Sequence, residues 1–203
     1  MSLRIGILAS GNGTNLQAII DAIEKKQLKT SIEIVISDNR AAHALKRAEK
    51  HHLPFQLIER KNYPDKKSFE EEILKTLREK KVEWVVLAGF MRILSPHFVN
   101  AYRNRILNIH PSLLPSFPGK EAIRQAYEQK EKMTGCTIHL VDEGCDTGPI
   151  ITQQKIPIEP GETLESLTEK VHQVEHQLYI KVLQWIVDNR VEIRGKKVLI
   201  SKS

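Results

Sequence analysis

The sequence predicts an α/β fold, an open, mostly parallel, Rossmann-like sheet flanked by helices. Short β-rich apolar runs alternate with longer amphipathic stretches, the succession of strands and crossover helices that builds a parallel sheet. Most of the apolar runs are continuous, as strands covered on both faces require. The first run also leads into a glycine-bearing turn, Ser10-Gly11-Asn12-Gly13-Thr14-Asn15, where a helix should begin.

In chain order the strand segments are Arg4 to Ala9, Glu33 to Ser37, Phe55 to Ile58, Trp84 to Ala88 and Ile106 to Ile109. Between them, 15–24, 41–51 and 68–80 carry apolar residues three and four apart, as in Phe69, Ile73, Leu74 and Leu77, which gives each helix one apolar face. After Ile109, the residues Pro111, Pro115, Pro118 and Gly119 rule out a regular element and predict a rigid, irregular loop. Two further strands, Thr137 to Val141 and Ile150 to Ile156, lead to a long helix from Thr163 to Asp188 and a hairpin around Gly195. A chain of 203 residues is long enough for one good core, and no linker or repeat divides it. The expectation is a single domain, 1–203, with a short C-terminal tail, 189–203.

No apolar run approaches the roughly 20 residues that cross a bilayer, so no membrane association is expected. The N-terminus passes directly into the strand-like Leu3-Arg4-Ile5-Gly6-Ile7-Leu8, without a cleavable apolar segment. Two cysteines, Cys136 and Cys145, are too few for a disulfide framework and lack zinc-knuckle spacing. These features predict a reducing, cytoplasmic location. The formal charge of +6 would suit nucleic acid or phosphorylated metabolites. Basic residues are interleaved with acids, as in Arg78-Glu79-Lys80-Lys81, so solvated helix faces are the better reading and no nucleic-acid partner is expected.

At the glycine turn, backbone N–H groups at a helix start favour an anion, and the helix dipole adds roughly half a positive charge. A dinucleotide site is the alternative, because G-x-G after a first strand opens that fingerprint and Asp38 follows the second strand. Leu16 stands where the third glycine belongs, and its bulk obstructs the close helix-to-strand packing. A phosphate monoester fits better than a pyrophosphate.

Asn108 and His110 lie two apart at the end of the fifth strand, so alternation points both to one side, at the strand end where open α/β sheets bind ligands. Asparagine can donate a hydrogen bond to a developing oxyanion and histidine can donate or shuttle a proton, a pairing suited to attack on a carbonyl. The acidic, glycine-bearing loop 142–149 can bring a carboxylate, Asp146, to the histidine. A carboxylate there favours the imidazolium, which donates a proton near neutral pH.

Ser10-Gly11-Asn12-Gly13-Thr14-Asn15, Leu87-Ala88-Gly89-Phe90-Met91-Arg92-Ile93-Leu94, Asn108-Ile109-His110-Pro111-Ser112-Leu113-Leu114-Pro115 and Asp146-Thr147-Gly148-Pro149 together resemble the phosphoribosylglycinamide formyltransferases over about residues 3–188. The resemblance implies the formyltransferase fold and transfer of the formyl group of 10-formyltetrahydrofolate to the amine of 5-phosphoribosylglycinamide, in de novo purine (IMP) biosynthesis. It implies that Asn108 and His110 stabilise the tetrahedral oxyanion, that His110 also moves protons, and that Asp146 holds and charges His110. It places the ribonucleotide phosphate on Gly13, Thr14 and Asn15, and Glu175 at the amine and ribose end. The folate would lie against Met91, Arg92, Ile93 and Leu94, with Asn108, the 142–146 loop including Asp142, and Lys66, whose counterpart in relatives is often arginine. Formyl folate is then a co-substrate, no metal is required and the partners are small molecules; the sequence leaves the oligomeric state open between monomer and homodimer.

Two other chemistries compete. A formyltetrahydrofolate hydrolase would use the same trio with water as acceptor, and its usual N-terminal regulatory domain is not seen. His172-Gln173-Val174-Glu175-His176 reads as H-x-x-E-H, the inverted zinc-peptidase signature, with His172, Glu175 and His176 as the zinc hydrolase set, although no further ligand is identifiable. Asp146-Thr147-Gly148 is half of an aspartic-protease site, which needs two such loops.

Overall fold

The computed structural model describes residues 2–201. Seven strands form one mostly parallel sheet flanked by helices, in the order β3-β2-β1-β4-β5-β6-β7, and β8 pairs with β9 in a separate two-stranded sheet. Packing divides the chain into two compact units, 1–107 and 108–203, with the boundary inside β5.

The first unit comprises β1 (Leu3–Leu8), α1 (Thr14–Glu24), β2 (Thr30–Ser37), α2 (His43–Lys50), β3 (Phe55–Leu57), a 3-10 turn at Arg60–Asn62, α3 (Lys66–Glu79), β4 (Trp84–Leu87), α4 (Pro96–Ala101) and the start of β5 (Ile106–His110). β1 pairs in parallel with β2 and with β4, and β2 in parallel with β3. Ile5, Ile7, Leu8, Val85 and Val86 are fully buried, as their continuous apolar runs require, and Leu16, Ile19, Ile73, Leu74 and Leu77 supply the buried helix faces. Each such side chain contributes roughly 1.5–3 kcal/mol on burial. The Asp65 side chain accepts from the Ser68 N–H at 2.7 Å and so caps α3, a contact worth about 1 kcal/mol.

The second unit contains the rest of β5, α5 (Ala122–Glu128), β6 (Met133–Leu140), β7 (Ile150–Pro157), α6 (Leu164–Val187), and the β8 (Val191–Arg194) and β9 (Lys197–Ile200) hairpin, which turns at Gly195 as expected. β6 and β7 are antiparallel from Met133↔Pro157 to His139↔Ile150, with a bulge between Ile138 and His139. α6 buries Leu167, Val171, Leu178, Tyr179, Val182, Leu183 and Ile186 along one face. Among the described residues no helix is long and apolar enough to cross a membrane.

Several boundaries differ from those read in the sequence. β2 starts at Thr30 and β6 at Met133, because their first residues join ladders to β1 and β7 that no local apolar pattern announces. α2 starts two residues late, since the Asn39 side chain accepts from the Ala41 N–H at 3.0 Å and holds a turn there. α4 and α5, of six and seven residues, are too short to show a helical period. α4 does carry a local start signal, Ser95 as cap followed by Pro96.

Gly13, at the junction of β1 and α1, has φ +73°, and a Cβ added there would lie 2.9 Å from the Ala44 Cα and Cβ atoms. Gly11 has open space around the same position. Gly13→Ala is therefore expected to lose about 1–3 kcal/mol in urea denaturation, and Gly11→Ala to stay within about 0.5 kcal/mol of the parent. Equal losses would contradict this account of the turn.

Candidate active site

In the first unit the glycine turn is built from three directions. Gly13 occupies the cap position of α1 in the left-handed conformation and supplies no side-chain cap, so the helix's opening N–H groups are not spent on one. α2 braces the turn: the Ala44 N–H donates to the Gly11 carbonyl at 3.2 Å, and the Arg47 guanidinium donates to the Asn12 carbonyl (2.8 Å) and side chain (3.0 Å) and to Gln17 (3.0 Å). Arg47 thus adds a permanent positive charge beside the turn. Sequence reasoning missed it, because only the tertiary packing of α2 brings it there.

Asp38, the residue a dinucleotide's ribose would need, is otherwise engaged. It accepts from the Ser10 hydroxyl at 2.6 Å and pairs with Arg92 through a short contact. Ser10 in turn accepts from the Met91 N–H at 2.9 Å, so one network ties the ends of β1 and β2 to segment 89–94. Leu16, in the place of the third glycine, is fully buried. The turn is therefore not furnished as a dinucleotide site.

Segment 89–94 exposes Met91 (63%) and Ile93 (62%), two large apolar side chains with no cover, whereas Leu94 is buried. Arg92 points to Asp38 and lies over the Phe69 ring, 5.5 Å from its centroid. Behind the segment, the buried Glu70 accepts from the Ser95 N–H at 3.0 Å and from the Ser95 hydroxyl through a short contact. Lys66, half-exposed at the start of α3, lies 3.7 Å from the same carboxylate.

In the second unit the expected trio does assemble. Asp146 Oδ2 accepts from the Gly119 N–H at 2.8 Å and lies 3.4 Å from His110 Nδ1, while Oδ1 lies 3.4 Å from Asn108 Nδ2. A fourth group, unforeseen in the sequence, joins them: His139 Nε2 lies 3.5 Å from Asp146 Oδ1 and 3.2 Å from Asn108 Nδ2. Its signal was a histidine in an otherwise apolar strand end just before the acidic loop. His110 and His139 are both buried. The other nitrogen of His110 donates to the Phe117 carbonyl at 2.7 Å, so both ring nitrogens face oxygen acceptors.

The loop geometry that presents Asp146 is specific. Asp146 itself has φ +56°, the left-handed region disfavoured for a residue with a Cβ. Asp142 closes the loop, accepting from the Gly144 N–H at 3.1 Å and the Thr147 hydroxyl at 2.7 Å. A side chain at Gly148 would collide with the Leu140 carbonyl, so the chain can return to β7 only through a glycine. Burial pushes the Asp146 carboxyl up, but the hydrogen bond with His139, the Gly119 N–H and the charges of His110 and His139 outweigh it and bring it down to about 2.

The H-x-x-E-H segment lies on α6. His172 Nδ1 is 2.8 Å from Glu175 Oε2, and the Glu175 carboxylate is buried. This contact and the ion pair raise the His172 imidazole above its usual value against the opposing effect of burial. Among the described residues no three His, Cys, Asp or Glu side chains are arranged to hold a metal ion.

The family model described as formyl transferase matches residues 3–183, and the chain belongs to that family. It is 40% identical over 194 residues to the phosphoribosylglycinamide formyltransferase of Bacillus subtilis (strain 168), covering 96% of this chain and 98% of that one. The crystal structure of glycinamide ribonucleotide transformylase 1 from Symbiobacterium toebii superposes with a TM-score of 0.96 at 40% identity, covering 99% of this chain and 95% of that one. A formyltetrahydrofolate deformylase from Pseudomonas syringae pv. tomato has a TM-score of 0.92 at 27% identity, and this chain covers 67% of it. Within the family the chain is a transferase of the phosphoribosylglycinamide formyltransferase group, with the deformylase more distant.

A carboxyl depressed from 3.8 to about 2 on folding stabilises the folded state above the unfolded-state value and loses that contribution as pH falls through about 2. The stability difference between the parent and Asp146→Asn, measured by urea denaturation, should hold constant from pH 7 to about pH 4.5 and shrink below about pH 4. A difference that already shrinks between pH 7 and pH 5 would place the Asp146 titration elsewhere.

Proposed function

We propose that this chain transfers the formyl group of 10-formyltetrahydrofolate to the amine of 5-phosphoribosylglycinamide, in purine (IMP) biosynthesis, with Asn108, His110 and Asp146 at the reacting carbon. The observation that carries this reading is the meeting of an amide, an imidazole and a strongly ionised carboxylate within 3.4 Å contacts in a chain of this family.

The attacking amine must be neutral, and an α-amino group with an ordinary value of roughly 7.7–8.0 supplies that form near neutral pH. Its lone pair adds to the formyl carbon, and the carbonyl electrons move onto oxygen. Asn108 donates a hydrogen bond to that oxyanion. His110 faces it as a cation once the substrate oxygen replaces the Phe117 carbonyl at Nε2. The amine nitrogen gives up a proton, the folate nitrogen leaves with one, and His110 carries protons between them. Asp146 stays ionised throughout and holds the charged imidazole in place. The oxyanion is met entirely by N–H donors, so these steps call for no metal.

On this reading Gly13, Thr14 and Asn15 bind the phosphate, with Arg47 adding charge, and Glu175 takes the amine and ribose end. Met91 and Ile93 offer apolar cover to the folate. Arg92 and Leu94 serve through the main chain, since their side chains are otherwise engaged. Lys66, Asp142 and Asn108 are proposed folate contacts as well. Residues 1–203 act as one formyltransferase domain, because the family model runs through both compact units. The partners are these two small molecules, and the unpaired Cys136 and Cys145 suit the cytoplasm.

The test is formyl transfer by the purified protein with and without the glycinamide ribonucleotide. Folate turnover should require the acceptor, and turnover without it would favour the hydrolase. Asn108→Ala and His110→Ala should each lower kcat by about 10²–10³ with KM little changed, the effect of removing one oxyanion donor. Near-parent turnover in either variant would contradict the role of that residue at the oxyanion.

A further inference from the structure

Segment 89–94 offers a folate two bare apolar side chains and a stretch of main chain, and an exposed segment binds best when it is already held in place as the ligand arrives. Asp38 is at the centre of what holds it. Its side chain is only 7% exposed, and both carboxylate oxygens are committed to the segment's anchors. Oδ1 accepts from the Ser10 hydroxyl at 2.6 Å, and Oδ2 pairs with the Arg92 guanidinium. A hydroxyl has one hydrogen. With that hydrogen directed to Asp38, the Ser10 oxygen is left as an acceptor, and it takes the Met91 N–H at 2.9 Å. The carboxylate therefore sets the direction of the Ser10–Met91 hydrogen bond and, at the next residue, the place of the Arg92 side chain.

We infer that Asp38 is a positioning residue for the formyl folate: through Ser10 and Arg92 it fixes the main chain at Met91 and Arg92, so that Met91, Ile93 and the backbone between them meet the ligand without first being ordered. Arg92 is secured on its other side by the Phe69 ring, whose centroid lies 5.5 Å away. The neighbouring glycine turn does not depend on this carboxylate. Its entry is held by the Ser10 N–H, which donates to the Gly89 carbonyl at 3.0 Å, and by the Asn39 side chain, which donates to the Ser10 carbonyl at 3.0 Å. Loss of the Asp38 carboxylate is therefore felt at the folate and not at the phosphate.

This role rests on segment 89–94 being a folate contact, and kinetics that resolve the two substrates separate the two claims. Asp38→Ala should raise KM for 10-formyltetrahydrofolate by about tenfold, the scale of one lost hydrogen bond to a charged group, while kcat and KM for the glycinamide ribonucleotide stay within about twofold of the parent. Asp38→Asn, which keeps an acceptor for Ser10 and loses the ion pair with Arg92, should fall between the parent and the Ala variant. The dissociation constant of 10-formyltetrahydrofolate, measured by calorimetry without the acceptor, should rise in parallel. An unchanged folate KM, or equal rises for both substrates, would show a merely structural residue and overturn the inference alone. A parent protein that does not bind the folate in calorimetry would overturn the proposed function, and this role with it. Should Asp38→Ala fail to fold, Ser10→Ala, which removes the acceptor of the Met91 N–H, still decides. Amide exchange at Met91 about tenfold faster than in the parent and a higher folate KM are expected, and a parent value for either would refute the positioning role.

Discussion

In the second unit a carboxylate, two imidazoles, an amide and a backbone N–H meet around one negative charge. Asp146 accepts from Gly119 and stands against His110, Asn108 and His139 in a half-buried loop. Burial alone would make the charge unfavourable, and its partners reverse that balance. The rest of the local architecture follows from presenting it: a left-handed Asp146, an Asp142 that ties the loop from within, and a glycine at 148 where any side chain would strike the Leu140 carbonyl. Strain of order 1–3 kcal/mol at the left-handed residue is offset by these contacts.

The sequence made the trio legible because its parts are local. Alternation on β5 put Asn108 and His110 together, and glycines around an acid marked the loop. The strands were legible for a related reason: their apolar runs are continuous. What escaped was set by distant parts of the chain. His139 and Arg47 gain their roles from strand pairing and helix packing, and α4 and α5 are too short to display a period. Asp38 bears on the dinucleotide alternative that Leu16 already disfavoured. Its position after β2 suggested a ribose partner, but Ser10 and Arg92 occupy its carboxylate.

Family membership and site geometry answer different questions. Formyl transferases share the fold, and the match through residues 3–183 fixes the class of chemistry. Residue roles come from chemistry at particular atoms, since a fold does not assign them. On the proposed function the two agree on what the reaction needs, namely N–H donors for an oxyanion and an imidazole held by an ionised carboxylate.

The permanence of that anion can be observed directly. The carboxyl ¹³C resonance of Asp146, followed in the folded protein from pH 7 to pH 4, should not move, because titration centred at about 2 leaves it ionised throughout. A transition with its midpoint inside that interval would mean that the two histidines do not hold the charge, and the account of the site would fail.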